Sequence, residues 1–211
     1  MPAPTTELEA VNVMLSGIGE TPVNTLDGEP AADVGMAVSI LNEISRELQS
    51  MGWSWNREDD YPLPVDAWTK EVPLPPTILR VFLPEGSPQR LVKRGRRLYD
   101  LARHSTTFDP AEWGNALRLS VHLLLPFDEL PEPARRYITL KALRVFQERV
   151  VGSQTLSAFQ RDDEERALAL LRDDDWSIAR YNMLAGAQAP NDAGLYRPMH
   201  VIGGGGYRER Y

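Results

Sequence analysis

The sequence predicts an α+β protein: a discontinuous bundle of about four helices interrupted by a small β-rich insert, with an extended C-terminal tail. Three observations carry this expectation. Apolar residues recur at steps of three and four in residues 7–51 and again in 128–181, which is the period of a helix face. In residues 56–126 the apolar runs shorten, alternate and are divided by Pro, Gly and Asp, as strands are. Beyond residue 185 no period is sustained, and Gly203 to Gly206 stand in a row. The domain division that follows is 1–55 with 127–184 for the helical bundle, 56–126 for the β-rich domain, and 185–211 for a tail that stays disordered until bound.

The first helix announces itself by Thr6 followed three residues later by Glu9, a capping box in which each residue's side chain satisfies the other's backbone N–H. Leu8, Val11, Leu15 and Ile18 then line one face. Gly17 and Gly19 stand where a helix stop needs positive φ, and Pro22 follows. A phosphate cradle would need a preceding strand and a third glycine opening a new helix; neither is present, so Gly-Ile-Gly reads as a stop. The second helix starts near Pro30, carries Val34, Ala37, Leu41, Ile44, Leu48 and Met51 as a core seam, and ends at Gly52.

Trp53-Ser54-Trp55 changes the period from helical to alternating. Residues Ile78 to Leu83, Arg90 to Tyr99 and Ala116 to Leu125 read as strands, the middle run folding on itself with a hairpin tip near Arg94 and Gly95. Asp128 to Pro133 is a punctuated helix entry. Behind it Tyr137, Ile138, Leu140, Ala142, Leu143, Val145 and Phe146 cover a wide apolar arc that stops at Gly152. The last helix runs from Gln154 to about Tyr181, with Leu156, Phe159, Ala167, Leu170, Leu171 and Ile178 inward.

Composition excludes several function classes. A formal charge of −7 disfavours non-specific attraction to nucleic acid or to an anionic membrane, since phosphate binding rests on Lys and Arg. Without cysteine there is no disulfide, thiolate metal site or cysteine nucleophile. His104, His122 and His200 belong to no local metal motif, and GxSxG, Walker and EF-hand patterns are missing. No cofactor is expected. The N-terminus lacks the basic and apolar regions of a secretory signal, and no apolar stretch is long enough to span a bilayer, so no membrane partner is expected either.

Two charged features remain. The runs Asp162-Asp163-Glu164-Glu165 and Asp173-Asp174-Asp175 are raw material for paired-carboxylate chemistry, with Asp162, Glu165 and Asp174 the candidates. Consecutive helical residues point around the circumference, however, and the interleaved Arg161, Arg166 and Arg172 favour a salt-bridged face. Arg90, Lys93, Arg94, Arg96 and Arg97 crowd the hairpin, which suits an acidic partner surface or passing DNA backbone.

Five blocks, AVNVMLSGIGETPVNTLDG, ILNEISRELQSMGWSWN, RLYD, FDELPEPARRYITLKALRVFQERVVG and YNML, resemble in that order the tail tubular protein A family of short-tailed, podovirus-type bacteriophages. The resemblance runs from about Glu7 to about Leu184, weakens through 60–125 and is absent beyond 185. It implies a virion protein of the tail, synthesised in the host cytoplasm: a dodecameric, twelve-fold ring adaptor between the portal protein and the tail nozzle protein (tail tubular protein B), with a channel through which DNA passes without specific binding. That role involves no catalysis; the alternatives are a tail-associated carbohydrate-cleaving hydrolase using the paired carboxylates and a small DNA-binding module using the basic hairpin. A ring of this kind needs two different faces per subunit. Asp163 and Glu165 are expected to meet Arg135, Arg136, Arg144 or the hairpin of a neighbour. The hairpin tip, Lys93, Arg94, Arg96 and Arg97, is expected to face a partner or the channel, and Tyr196, Met199, Ile202 and Tyr207 to anchor the tail on the portal or an adjacent subunit.

Overall fold

A computed structural model of the chain describes residues 5–27, 31–83, 89–152 and 154–185, apart from the side chains of 154–159 and 180–185. The expected tail lies outside these residues, except that Ala185 ends the last helix. The α+β fold is as the sequence predicts. Helices α1 (Glu7–Gly17) and α2 (Ala32–Ser50) precede strands β1 (Arg57–Pro64), β2 (Ile78–Phe82), β3 (Leu91–Arg94) and β4 (Arg97–Asp100). The short α3 (Pro110–Trp113) and strand β5 (Ala116–Leu123) follow, and the chain returns through α4 (Glu132–Val150) and α5 (Gln154–Ala185).

The ends of α1 are set locally. The Thr6 hydroxyl accepts from the Glu9 N–H at 3.2 Å, and the Thr6 N–H donates to the Glu9 carboxylate at 2.9 Å, which completes the capping box. At the other end Gly19 takes φ +85°, so its N–H reaches the Ser16 carbonyl and the Glu20 N–H reaches the Leu15 carbonyl, satisfying two carbonyls that the helix leaves open. Gly17 serves a different purpose. A Cβ there would overlap the Leu143 side chain and the Gln147 amide, so its bareness lets α1 approach α4 closely.

Two hydrophobic clusters form. One gathers Ala10, Met14 and Leu15 from α1, Ile40, Leu41 and Leu48 from α2, Ile138, Ala142 and Phe146 from α4, and Ala167 and Leu171 from α5. Each fully buried side chain of this size contributes about 1.5–3 kcal/mol relative to exposure. The other gathers Leu63, Val72, Leu74, Ile78, Leu98, Phe108 and Val121 between the sheets. Strand order is β1-β5-β2, all antiparallel, and β3–β4 form a separate hairpin. The extended stretch at Val72 to Leu74 flanks β4, with the Leu74 N–H donating to Arg96 and the Leu98 N–H to Val72.

Several sequence expectations shift. Met51 is 57% exposed because α2 ends one residue earlier, while Ile40, off the expected seam, is buried. Leu170 is 66% exposed, since Ala167 and Leu171 already fill the α5 face that meets the core. Trp53-Ser54-Trp55 opens not a strand but a 3-10 turn over Ser54–Asn56, and the two tryptophans, stacked on each other at 6.3 Å, pack with the helical core. The unanticipated strand is β1, REDDYPLP, an edge strand whose prolines are tolerated because only one side is paired.

The passage between the two cores is a polar joint. The fully buried Gln49 amide donates to the Ser45 hydroxyl and the Leu125 carbonyl, both at 3.0 Å, and its oxygen accepts the Leu125 N–H at 2.8 Å. The Asn56 amide donates to the Gln49 and Leu123 carbonyls, both at 2.9 Å, and accepts from the Trp53 N–H. Beside them Gly52, at φ +83°, lies so close to the His122 ring that no Cβ fits. Gly95 at the hairpin tip also has positive φ, +64°, but open space around it.

Two outcomes follow from this joint. Gly52→Ala is expected to cost about 2–4 kcal/mol in urea unfolding, combining backbone strain with overpacking, whereas Gly95→Ala costs about 1 kcal/mol from strain alone. His122 is lowered to about 4, first by burial and then by the charges of Arg57 and Arg80, with Asp59 opposing. Its proton therefore binds the unfolded chain more readily, so stability is full above the unfolded value of about 6.5 and falls as pH drops toward 4. Unfolding free energy should decline by roughly 2–3 kcal/mol across that window and less steeply in His122→Phe.

Candidate assembly interface

The basic and acidic groups marked in the sequence divide into those the chain uses internally and those it leaves outward. Arg135 is internal in its bonding. Its guanidinium donates to three backbone carbonyls, Leu130 at 2.7 Å, Asp128 at 2.6 Å and Thr5 at 2.9 Å. From the first turn of α4, Glu132 accepts the Thr5 N–H at 3.0 Å and its hydroxyl at 2.5 Å. The residue ahead of α1 is thus held from both sides by one helix turn.

Arg144 is likewise occupied. It donates to Glu164 on α5 at 2.7 Å and to Glu148 at 3.1 Å, with the Arg144 and Glu164 side chains mostly buried. The Glu164 hydrogen bond leads the causes that raise the arginine above its usual value. One acidic residue of α5 therefore meets a basic residue of α4 within the same chain. Nearby, the Gln147 amide donates to the Gly17 carbonyl and accepts from Gln160 at 2.5 Å, which ties α1, α4 and α5 through one side chain. Asp175 holds the far end of α5, accepting from the Ser54 N–H at 2.8 Å and the Ser54 hydroxyl.

What remains outward is different. Arg136 is exposed and makes no ion pair among the described residues. Asp163 pairs loosely with Arg166 at 3.6 Å on an open surface, and Glu165 is exposed beside them. In the hairpin, Lys93 donates to the Ile78 carbonyl, Arg94 lies 3.6 Å over the Tyr99 ring, and Arg97 pairs with Glu71 at 2.8 Å. Arg96 at the tip is exposed and carries no such partner among the described residues. Tyr196, Met199, Ile202 and Tyr207 lie outside the described residues. Several marked charges are thus already used, while Arg136, Arg96 and Arg90 on the basic side, and Glu165, Asp162 and the weakly held Asp163 on the acidic side, remain outward among the described residues.

Large apolar groups also face outward, and charge patterning gave no sign of them. Leu170 and Trp176 on α5 are 66% and 51% exposed, and Trp68, in the loop between β1 and β2, is 95% exposed. In sequence these residues look like core material, because composition alone carries no record of which face is already filled.

The paired-carboxylate arrangement is not assembled by the candidates named for it. Asp174 stands twelve residues after Asp162 and nine after Glu165, or about 18 and 14 Å along a helix at 1.5 Å per residue, beyond the ~9.5 Å upper separation of an acid/base pair. Asp162 and Glu165 share an open face with nothing to exclude water. Two clefts among the described residues, of about 300 and 370 Å³, are both bordered by Trp113 on the β module, and neither is lined by the acidic runs. The first contains Asp100 and Glu112, yet Arg103 bonds Glu112 through both guanidinium nitrogens and stands 3.8 Å from Asp100. That hydrogen bond is the leading cause of the lowered Glu112 pKa. No group of three metal-binding side chains occurs among the described residues, and none of their helices is long and apolar enough to cross a membrane.

In Arg135→Ala the loss of three charge-assisted hydrogen bonds should lower the urea midpoint by an amount equivalent to about 2–3 kcal/mol, while Arg136→Ala stays within about 0.5 kcal/mol. Equal effects at the two positions would deny Arg135 its intrachain role.

The family model described as tail tubular protein matches residues 8–181, from the first turn of α1 to near the end of α5. No curated protein matches the sequence.

Proposed function

The chain belongs to the tail tubular protein family and is a structural component of a phage tail, and on that premise we propose that it is the ring adaptor joining the portal to the tail nozzle. The observation that carries this reading is the span of the family match, which takes in both helical segments and the β-rich region between them. In the proposed role twelve copies form a ring around a channel, and the protein catalyses no reaction. Portal protein binds on one side and the nozzle protein, tail tubular protein B, on the other. The two hydrophobic clusters are the cores of two domains in this reading.

The physical chemistry of the chain suits such a role. At −7 its charge repels duplex phosphates, so DNA slides through a lining of this sign, whereas a basic lining would bind it and slow ejection. Arg97 is paired and Arg94 stacked within the hairpin, which leaves Arg90 and Arg96 as the unpaired charges of this cluster among the described residues and limits any grip on DNA. A repeated contact between unlike faces can pair Arg136 or Arg96 of one copy with Asp163 and Glu165 of the next. Residues 186–211, with the apolar anchors Tyr196, Met199, Ile202 and Tyr207, supply a segment that orders on the portal or on a neighbour.

The test is the mass of the purified protein, alone and after mixing with portal, by native mass spectrometry. A twelve-fold species in either sample is the expected outcome; a monomer indifferent to portal would refute the adaptor reading.

A further inference from the structure

Trp68 is the most exposed large apolar side chain among the described residues, at 95%. It is not on a slack loop. The Asp66 carboxylate accepts from the Trp68 N–H at 3.0 Å, the Thr69 N–H at 2.8 Å and the Thr69 hydroxyl at 3.0 Å, and the Lys70 N–H closes back on the Asp66 carbonyl at 2.8 Å. The ends of the loop are fixed as well. The Asp66 N–H donates to Glu71, Lys70 accepts the Phe108 N–H, and the Lys70 ammonium lies 3.6 Å from Asp109. A backbone held this way leaves only the two side-chain torsions of the indole to be ordered on binding, which suits an interface anchor. At 95% exposure its apolar surface stays in water, so burial against a partner is favourable.

The same module offers a receiver. The larger cleft, about 370 Å³, is lined by four leucines, among them Leu91, Leu117 and Leu119, together with Trp113, Ala116 and the polar Gln89 and Arg118. Arg118 at its margin is paired with Asp60 at 2.7 Å, and a guanidinium group is of the kind that stacks on an incoming indole. The loop brings no free charge to such a contact, since Asp66 is saturated by amides and Lys70 and Glu71 are paired. A neutral aromatic projection and a leucine-containing cleft whose bordering arginine is already paired leave no charge unmet when they join, and both are carried by every copy.

We infer that Trp68 of one subunit seats in the Trp113–Leu117 cleft of a second copy of this chain, forming a head-to-tail contact between β modules. The contact is heterologous, so repeated it builds a closed ring or a filament rather than a two-fold dimer. This inference rests on the adaptor reading for its partner but names a contact which that reading does not require.

Absence of cysteine makes the test clean. Chains carrying Ala67→Cys alone, which keep Trp68, and Ala116→Cys alone are mixed, assembled with portal where portal is needed, and treated with a short bis-thiol crosslinker. Crosslinks between the two kinds of chain, with none between Ala67→Cys chains, are expected. Trp68→Ala should weaken assembly at least tenfold while leaving the urea midpoint of the monomer unchanged. Assembly at full mass by Trp68→Ala, or an assembled ring of mixed chains without the crosslink, overturns the contact and leaves the ring intact. Wild-type chains that stay monomeric with portal overturn both.

Discussion

Everything in this molecule depends on a chain that leaves a helical bundle at residue 53 and must re-enter it beside the same point near residue 125. The Gln49 side chain enforces that return. By donating to the Leu125 carbonyl and accepting from the Leu125 N–H it behaves as a strand partner made from one amide, and Asn56 adds a donation to the Leu123 carbonyl. Buried groups of this sort stabilise only when all of them are paired, and removal of one partner strands the others at about 1–3 kcal/mol each. The joint therefore fixes the position of one core relative to the other more by intolerance of error than by attraction.

The helical half was legible because its signals are local. A capping box, a glycine stop and a seam at steps of three and four each concern residues within one or two turns, and α1, α2 and α4 lie where those signals put them. Leu170 and Met51 escaped because a stripe counted along a sequence does not reveal where a helix stops touching its neighbour. Strand β1 escaped for a related reason: as an exposed edge it needs no apolar alternation, and its pairing is specified by β5, some sixty residues away.

The charged residues were the least legible. Arg135 and Arg136 are adjacent and chemically identical in sequence, yet one reaches three carbonyls of its own chain and the other faces water. That difference is a matter of 100° around α4. Membership of the family was visible in ordered blocks of residues, whereas the outward surface of the β module, Trp68 above all, was not, because exposure is decided by what the rest of the fold has already covered.

The joint at Gln49 also bears on the order in which the protein can form. Leu125 lies 76 residues beyond Gln49, and closing so long a loop from an unfolded chain costs about 4 kcal/mol of entropy before any contact is made. Pairing of Arg57 with His122 in the antiparallel sheet brings those ends together as a by-product of building the β module. The insert is then a spatial shortcut: most of the closure cost falls on building its sheet, and once it has folded the two halves of the bundle meet as though they were near neighbours along the chain.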